Sequence, residues 1–484
     1  MPEQSKSSAD WPQNLKNLNV HMAGIKGTGM CALAELLTAE GANVSGSDVE
    51  EEFYTDAILA ELGISAKPFR AESLNNAAVL VRSAAYNETN PVVKAAMEKE
   101  LPVFTYPQVL GALSRQFDSS AIAGVHGKTT TTALTGVLLK ALKSPATVVA
   151  GSAVSGFGDR STWSGGRRYF VAETCEYRRH FLHYAPRRIL LTSIESDHQD
   201  YYPDYPSILQ AFHEFLQTLP SGGELIYCAD DKGACEAAQK LKDSRSDIQI
   251  TAYGENAGGP WRLTFAPAAP GVNRFRLAGF NMDFSLPVPG RHIALDAAGA
   301  LALSRSLAKN CSEREFALTA SKALHTFRGS RRRSEIIGTA ADILFMDDYA
   351  HHPTAVVLTL KGLKDFHPDR RLIVDFQSHT YSRSTALLEE FSRCFSSADI
   401  LLLQPIYASA REKESTTLTD AQFQQAIAAM RPEGSTLMCG SLHEAAEKLK
   451  KILLPGDLFI TLGAGNNRPL SIELFKEYSK EHNA

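Results

Sequence analysis

Gly124-Val125-His126-Gly127-Lys128-Thr129-Thr130 decides the reading of this chain. An apolar run, 121–123, leads into it, and a helix-like segment over 131–142 follows. A strand, a tight glycine turn and a helix start, with Lys and Thr side by side, make a cradle for phosphate. Backbone N–H groups at a helix N-terminus attract anions, and glycines let the backbone come close. A Lys ammonium reaches the outer phosphates, and a Thr hydroxyl suits Mg²⁺. The spacing departs from the general G-x-x-x-x-G-K-[ST] pattern, because Ile122 stands where that pattern has glycine. The plainer alternative is a glycine turn that only caps a helix.

Working outward, the N-terminal side predicts a strand over 19–23, a turn Gly24-Ile25-Lys26-Gly27-Thr28-Gly29, a helix over 30–40 and a strand over 43–47 that ends at Asp48. This βαβ unit resembles a dinucleotide-binding turn, but its glycine order is G-x-x-G-x-G, not G-x-G-x-x-G. Alternation continues through 78–83 and 102–105. After the phosphate loop come β-rich runs at 169–173, 188–194 and 224–228, an antiparallel excursion over 254–289, and helices over 294–308 and 313–324. A basic junction, Phe327-Arg328-Gly329-Ser330-Arg331-Arg332-Arg333, precedes a third alternation at 342–346, 371–376, 399–403, 435–438 and 457–462. The expectation is an α/β protein of three parallel-sheet domains, 1–117 (with a loose tail over 1–16), 118–333 and 334–484. Ligands then belong at strand C-terminal ends and between domains.

Composition narrows the class. The 484 residues exceed a single core. They are 44% apolar and 21% charged, the balance of a globular chain. A net charge of −4 shows no basic excess for nucleic acid, and no Lys/Arg block stands beside an amphipathic anchor for a membrane. The polar first 13 residues do not read as a signal peptide. Seven scattered cysteines without C-x-x-C fit reduced thiols, hence a cytoplasmic location, and no zinc site.

Other polar residues cluster at predicted strand ends. Glu173 ends one run, and His198 follows another within Glu195-Ser196-Asp197-His198. With Thr129 they offer a hydroxyl, a carboxylate and an imidazole to a metal, though either residue alone reads more readily as structural. Asp347-Asp348-Tyr349-Ala350-His351-His352-Pro353 could be functional or a helix cap. Arg383, in Gln377-Ser378-His379-Thr380-Tyr381-Ser382-Arg383, could hold a carboxylate in a bidentate pair or make a surface ion pair.

Taken in order, these segments resemble the Mur ligases, ATP-dependent amide-forming enzymes of peptidoglycan synthesis. The resemblance is carried by Gly24–Met30, Ser45-Gly46-Ser47-Asp48, 124–130, Glu173-Thr174-Cys175-Glu176-Tyr177, Asp197-His198, Gly290-Arg291-His292, Phe327-x-Gly329-x-x-Arg332-Arg333-x-Glu335, 347–353 and Leu462-Gly463-Ala464-Gly465. The short glycine spacing is the family's own form. The resemblance implies a Rossmann-like N-terminal domain for a UDP-sugar, a central phosphate-loop ATPase domain and a Rossmann-like C-terminal domain for an amino acid. It assigns Gly27, Thr28, Gly29, Asp48 and Ser83 to the UDP-sugar. It assigns Gly124, His126, Gly127, Lys128, Thr129, Thr130, His292, Asp296 and Asp347 to ATP. Thr129, Glu173 and His198 would hold Mg²⁺, two ions in all. Lys128, His198, Arg332 and Arg333 would serve catalysis, and Tyr349, His379 and Arg383 the amino acid.

The implied substrates are UDP-N-acetylmuramate and L-alanine, turned over by a monomer or homodimer. Departures are Ile293 and Asp296 where relatives carry Asn, His213 where some relatives carry a modified lysine, Thr380 for Arg and Asn466 for Asp. The absence of that lysine suits the alanine-adding branch. The alternatives are a tripeptide ligase of wall recycling, disfavoured by Thr174, Cys175 and Arg178, a nucleotide-binding regulator without ligation, and a dehydrogenase built on the first βαβ unit alone.

Overall fold

Short β-branched and apolar runs, each followed by an alanine- and leucine-rich helix, stack into three successive sheets. The computed structural model describes residues 10–267, 269–408 and 418–481. The first sheet is parallel throughout, in the order Asn43–Ser47, Asn19–Ala23, Val79–Arg82, Val103–Thr105. Its crossover helix, Thr28–Ala39, leaves the glycine turn directly and buries Met30, Leu33 and Leu37 against the sheet. Asn90 starts another helix, Pro91–Glu98, accepting the Val92 N–H at 3.0 Å with proline in the first turn.

The central sheet has seven strands, ordered Gln249–Tyr253, Glu224–Cys228, Arg188–Leu191, Asp118–Ala123, Tyr169–Glu173, Ala146–Val154, Arg160–Ser164. Asp118–Ala123 lies in its middle, so the phosphate loop emerges at the centre of the C-terminal edge. The antiparallel excursion is a three-stranded sheet, Leu263–Phe265, Asn273–Leu277 and Asp283–Leu286. The third sheet runs Glu335–Ala340, Ile343–Asp348, Asp457–Gly463, Arg371–Gln377, Ile400–Leu403, Thr436–Met438. The α/β class holds, and no described helix is long and apolar enough to cross a membrane.

Three expectations need correcting. Of the three main domain sheets two are mixed, not parallel: Arg160–Ser164 and Glu335–Ala340 pair antiparallel with their neighbours. The second hairpin is closed by Ala341 and Asp342, whose φ of +50° and +56° match the right-handed twist of the strands they join. Neither residue is the glycine or asparagine that would flag such a turn. The phosphate-loop helix starts at Lys128, three residues before the predicted 131, because Gly127 is its N-cap. Of the supposed loose tail, residues 1–9 lie outside the described residues, but Trp11 and Leu15 are buried, Trp11 edge-on to Phe104 at 5.2 Å.

Ion pairs join helices of the first domain to the edge of the central sheet. Arg160 bonds both Glu35 and Glu61, and the Thr162 hydroxyl donates to Glu35 at 2.6 Å. Within the third sheet, the Asp375 carboxylate is fully buried, accepting from Gln404 at 2.7 Å and Asn467 at 2.8 Å. Burial pushes it up to about 6. A carboxyl raised on folding contributes most when protonated, so its contribution falls as pH rises from about 4 through about 6. Asp375→Asn removes this loss. Relative to wild type it should gain about 2–3 kcal/mol between about pH 4 and pH 7.5, read from the urea unfolding of the C-terminal domain at both pH values.

Candidate active site

The backbone of the phosphate loop is shaped by its two glycines. Gly124 has φ +141° and Gly127 φ +79°, values that L side chains avoid. A Cβ on Gly124 would also stand 2.0 Å from the Thr192 hydroxyl. The loop is braced by residues just beyond the neighbouring strand. The Ser193 hydroxyl accepts the His126 N–H at 2.9 Å, and the Thr192 hydroxyl donates to the His126 carbonyl at 2.5 Å. A phosphate would therefore meet a rigid nest of N–H groups at the start of helix Lys128–Ala141.

Lys128 folds back onto its own loop. Its ammonium donates to the Gly124 carbonyl at 2.5 Å, the Val125 carbonyl at 3.3 Å and the Glu176 carboxylate at 2.8 Å. The other oxygen of Glu176 lies 3.1 Å from His198 Nε2. Glu176, 3% exposed, thus bridges the lysine and the histidine. Burial alone would favour the neutral forms of all three groups. Their mutual charges outweigh it: Lys128 and His198 are held above their ordinary values and Glu176 below its own.

Glu173 ends its strand beside this cluster. Its Oε2 is buried with no hydrogen-bond partner among the described residues. A Cβ at Gly151 would stand 2.0 Å from the other oxygen, so only glycine leaves the carboxylate its place. With the buried Thr129 at the start of the helix, it presents oxygen ligands to a hard cation.

The C-terminal sheet reaches into the same cleft. The Arg383 guanidinium donates twice to one oxygen of Asp197, at 3.1 and 2.9 Å, and both residues are buried. This pair is internal, not on the surface. Although burial pushes the Asp197 carboxyl up, Arg383 and His198 hold it well below the usual carboxylate range. The His379 ring stacks on Tyr407 at 5.9 Å, and its carbonyl accepts from Arg383 at 3.3 Å.

The basic junction is no solvated charge run. Ser330 pairs with Val154, and Arg331 N–H donates to the Ala153 carbonyl at 2.8 Å. The Arg331 guanidinium covers Tyr54 of the first sheet's domain at 4.3 Å. Arg332 and Arg333 lie over the Tyr349 ring at 4.9 and 5.2 Å. Arg332 also donates to Asp347 at 3.1 Å and to the Gly463 carbonyl at 2.8 Å. Asp347 is completely buried and spends its second oxygen on the Thr461 hydroxyl at 2.7 Å, so its reach to a ligand runs through Arg332.

Asp296 packs under Gly127, its Oδ1 2.5 Å from where a Cβ there would stand, and burial pushes its carboxyl well up. His292 lies one turn earlier on helix Arg291–Leu307; burial lowers it to about 4, leaving a neutral ring at pH 7. Thr130 is buried in the first turn of the phosphate-loop helix.

In the first sheet, Gly27, Thr28 and Gly29 form the helix start. The Asp48 carboxylate accepts the Lys26 N–H at 2.7 Å, the Val49 N–H at 2.8 Å and the Tyr86 hydroxyl at 3.3 Å, so it shapes the glycine turn itself. Ser83 lies beneath Gly24 on the next strand's end, its N–H donating to Ala23 at 3.0 Å.

Sequence reasoning quoted Glu176, Asp197 and Arg331 within motifs but gave none of them a role in the site. The first two stand one or three residues from residues it did select, and only the fold shows which carboxylates face inward. Three non-glycine residues at this cleft, His198, Arg332 and Thr380, have φ of +56°, +58° and +72°, the kind of held backbone found at functional sites.

Comparison with known proteins agrees with this layout. Residues 19–118 match the Mur ligase family catalytic domain, 122–304 the Mur ligase middle domain, and 332–465 the Mur ligase glutamate ligase domain. A UDP-N-acetylmuramate–L-alanine ligase of Treponema pallidum (strain Nichols) is 46% identical over 476 residues, 97% of this chain and 98% of that protein. One from Desulfitobacterium hafniense (strain Y51) is 37% identical over 93% and 97%. The crystal structure of UDP-N-acetylmuramate-alanine ligase MurC from Thermotoga maritima has the same fold, with a TM-score of 0.75 at 21% identity over 96% of this chain and all of that one. The cleft geometry, the three matched domains and the near-complete overlap with these relatives place the chain in the Mur ligase family.

Proposed function

We propose that the chain uses ATP to join L-alanine to the carboxylate of UDP-N-acetylmuramate, in the cytoplasm, as a step of peptidoglycan synthesis. The Lys128–Glu176–His198 cluster at the phosphate loop carries this reading, together with the activity named for relatives that match nearly end to end. Seven cysteines, none in a disulfide, suit a reducing compartment. In this scheme residues 1–117 hold the UDP-sugar, 118–333 the nucleotide and 334–484 the amino acid.

The reaction must bring a carboxylate to a triphosphate, two negative groups. Attack on the γ-phosphorus forms an acyl phosphate and releases ADP. The amine of L-alanine then attacks the acyl carbon, and phosphate leaves through a tetrahedral intermediate. Lys128 exchanges Glu176 and the loop carbonyls for phosphate oxygens, and the helix N-terminus donates its free N–H groups. Thr129 and Glu173, whose Oε2 has no hydrogen-bond partner among the described residues, fit Mg²⁺, with His198 toward a second ion; a bound cation would neutralise phosphate charge. Arg332 and Arg333 end the central domain and lie against Tyr349 of the C-terminal one, so domain closure completes the charge set and excludes water from the acyl phosphate. Arg383 lends its buried guanidinium to the amino-acid carboxylate, in exchange with Asp197.

The test is phosphate release from ATP with UDP-N-acetylmuramate and, in turn, L-alanine, glycine, L-serine and the murein tripeptide. Release should be fastest with L-alanine. Release with the tripeptide alone would move the chain to wall recycling, and no release with any single amino acid would refute the reading.

A further inference from the structure

A second cluster lies where the C-terminal domain meets the phosphate loop, joining His126 of that loop to Glu195 and His352, which the ligase scheme leaves without a chemical task. His126 Nε2 comes within 2.6 Å of Glu195 Oε1, yet it lacks the alignment of a hydrogen bond and has no such bond among the described residues. His352 Nδ1 lies 3.8 Å from Glu195 Oε2, and the two imidazole rings are 4.9 Å apart. One donor atom from each of the three side chains falls within 4.8 Å of the others. His352 is only 5% exposed, and its Nε2 has no hydrogen-bond partner among the described residues.

A buried imidazole nitrogen facing nothing is costly unless something fills the place. Two imidazoles and one carboxylate are a zinc-type donor set, with a fourth position open to water. Bonds of about 2.0–2.1 Å in tetrahedral array put donor atoms about 3.3 Å apart. The two Glu195 contacts, 2.6 and 3.8 Å, lie on either side of that spacing, and one donor atom of each residue falls within 4.8 Å of the others, so side-chain rotation can bring all three onto one ion. The frame is stiff on both sides. Thr192 and Ser193 pin the His126 backbone, and the Thr354 hydroxyl donates to Glu195 at 2.9 Å.

We infer that His126, Glu195 and His352 form a binding site for a zinc-class divalent cation, separate from the oxygen-ligand site at Thr129 and Glu173. His126 and Glu195 belong to the central domain and His352 to the C-terminal one. A bound ion therefore ties the C-terminal domain to the phosphate loop and restrains its opening.

The experiment uses the full chain without nucleotide, titrated with Zn²⁺ alone by calorimetry and with Co²⁺ alone by visible absorption. Wild type should bind one equivalent with the d–d band of a four- or five-coordinate site. His352→Asn and Glu195→Gln should bind about a hundredfold more weakly, having lost one of three protein ligands. His352 caps helix Pro353–Phe366, and asparagine keeps that cap, so this variant tests the ligand and not the fold. In the wild type alone, Zn²⁺ added over saturating Mg²⁺ should also slow turnover. A wild type that binds no Zn²⁺, or variants that bind it equally well, would overturn the site. Neither result depends on which amino acid the enzyme adds.

Discussion

Lys128→Ala lowers turnover by about a thousandfold or more while UDP-N-acetylmuramate binding stays within about threefold of wild type. Lys128 is the cation that the structure places on the phosphate loop, 2.5 Å from the Gly124 carbonyl and 2.8 Å from Glu176. Transfer of a phosphoryl group to a carboxylate concentrates negative charge there, and a preorganised ammonium in a partly closed cleft is worth several kcal/mol at that stage. Alanine removes that charge and leaves Glu176 facing His198 alone. The UDP-sugar site proposed around Gly27 and Asp48 belongs to another sheet, so its affinity should be spared. Steady-state phosphate release and a separate binding titration measure the two effects. Comparable losses in both would refute the division of labour between the domains.

Glu176→Gln should reduce kcat by about 10- to 100-fold, with a smaller change in the KM for ATP. The magnitude follows from losing two charge-assisted hydrogen bonds of about 1.5–3 kcal/mol each, partly replaced by neutral ones. Glu176 keeps Lys128 and His198 charged and aligned between turnovers. The amide preserves shape but can accept on only one side, so lysine and histidine lose their shared anchor. A merely structural residue would lower thermal stability without moving the kcat profile with pH. Here the acid limb of that profile should move to lower pH, because His198, which must shed its proton to hold a cation, no longer has the Glu176 carboxylate that helps raise it. A variant with unchanged kcat would remove Glu176 from the mechanism.

Local chemistry explains why much of the fold was legible. Tyr169–Glu173 and Glu224–Cys228 run over the same residues that their β-rich composition predicts. The antiparallel excursion was equally visible, from its prolines, glycines and alternating apolar residues. The mixed edges were not. Glu335–Ala340 turns back through Ala341 and Asp342, which adopt positive φ without the residues that normally mark it. The tail was misread because Trp11 and Leu15 are isolated apolar residues, buried only by partners such as Phe104, far along the chain.

By itself the sequence determined which chemistry the cleft contains. The glycines at 124 and 127, Lys128 and Thr129 are adjacent in the chain, so their joint geometry is a local property of one turn. Tertiary structure alone decided the pairings: Glu176 between Lys128 and His198, Asp197 on Arg383, and Glu195 between His126 and His352. Each joins strand ends or domains separated by 22 residues or more, the closest being Glu176 and His198. Which carboxylate faces inward depends on strand order and domain packing, and these are set by burial of whole sheets, not by the residues beside each acid.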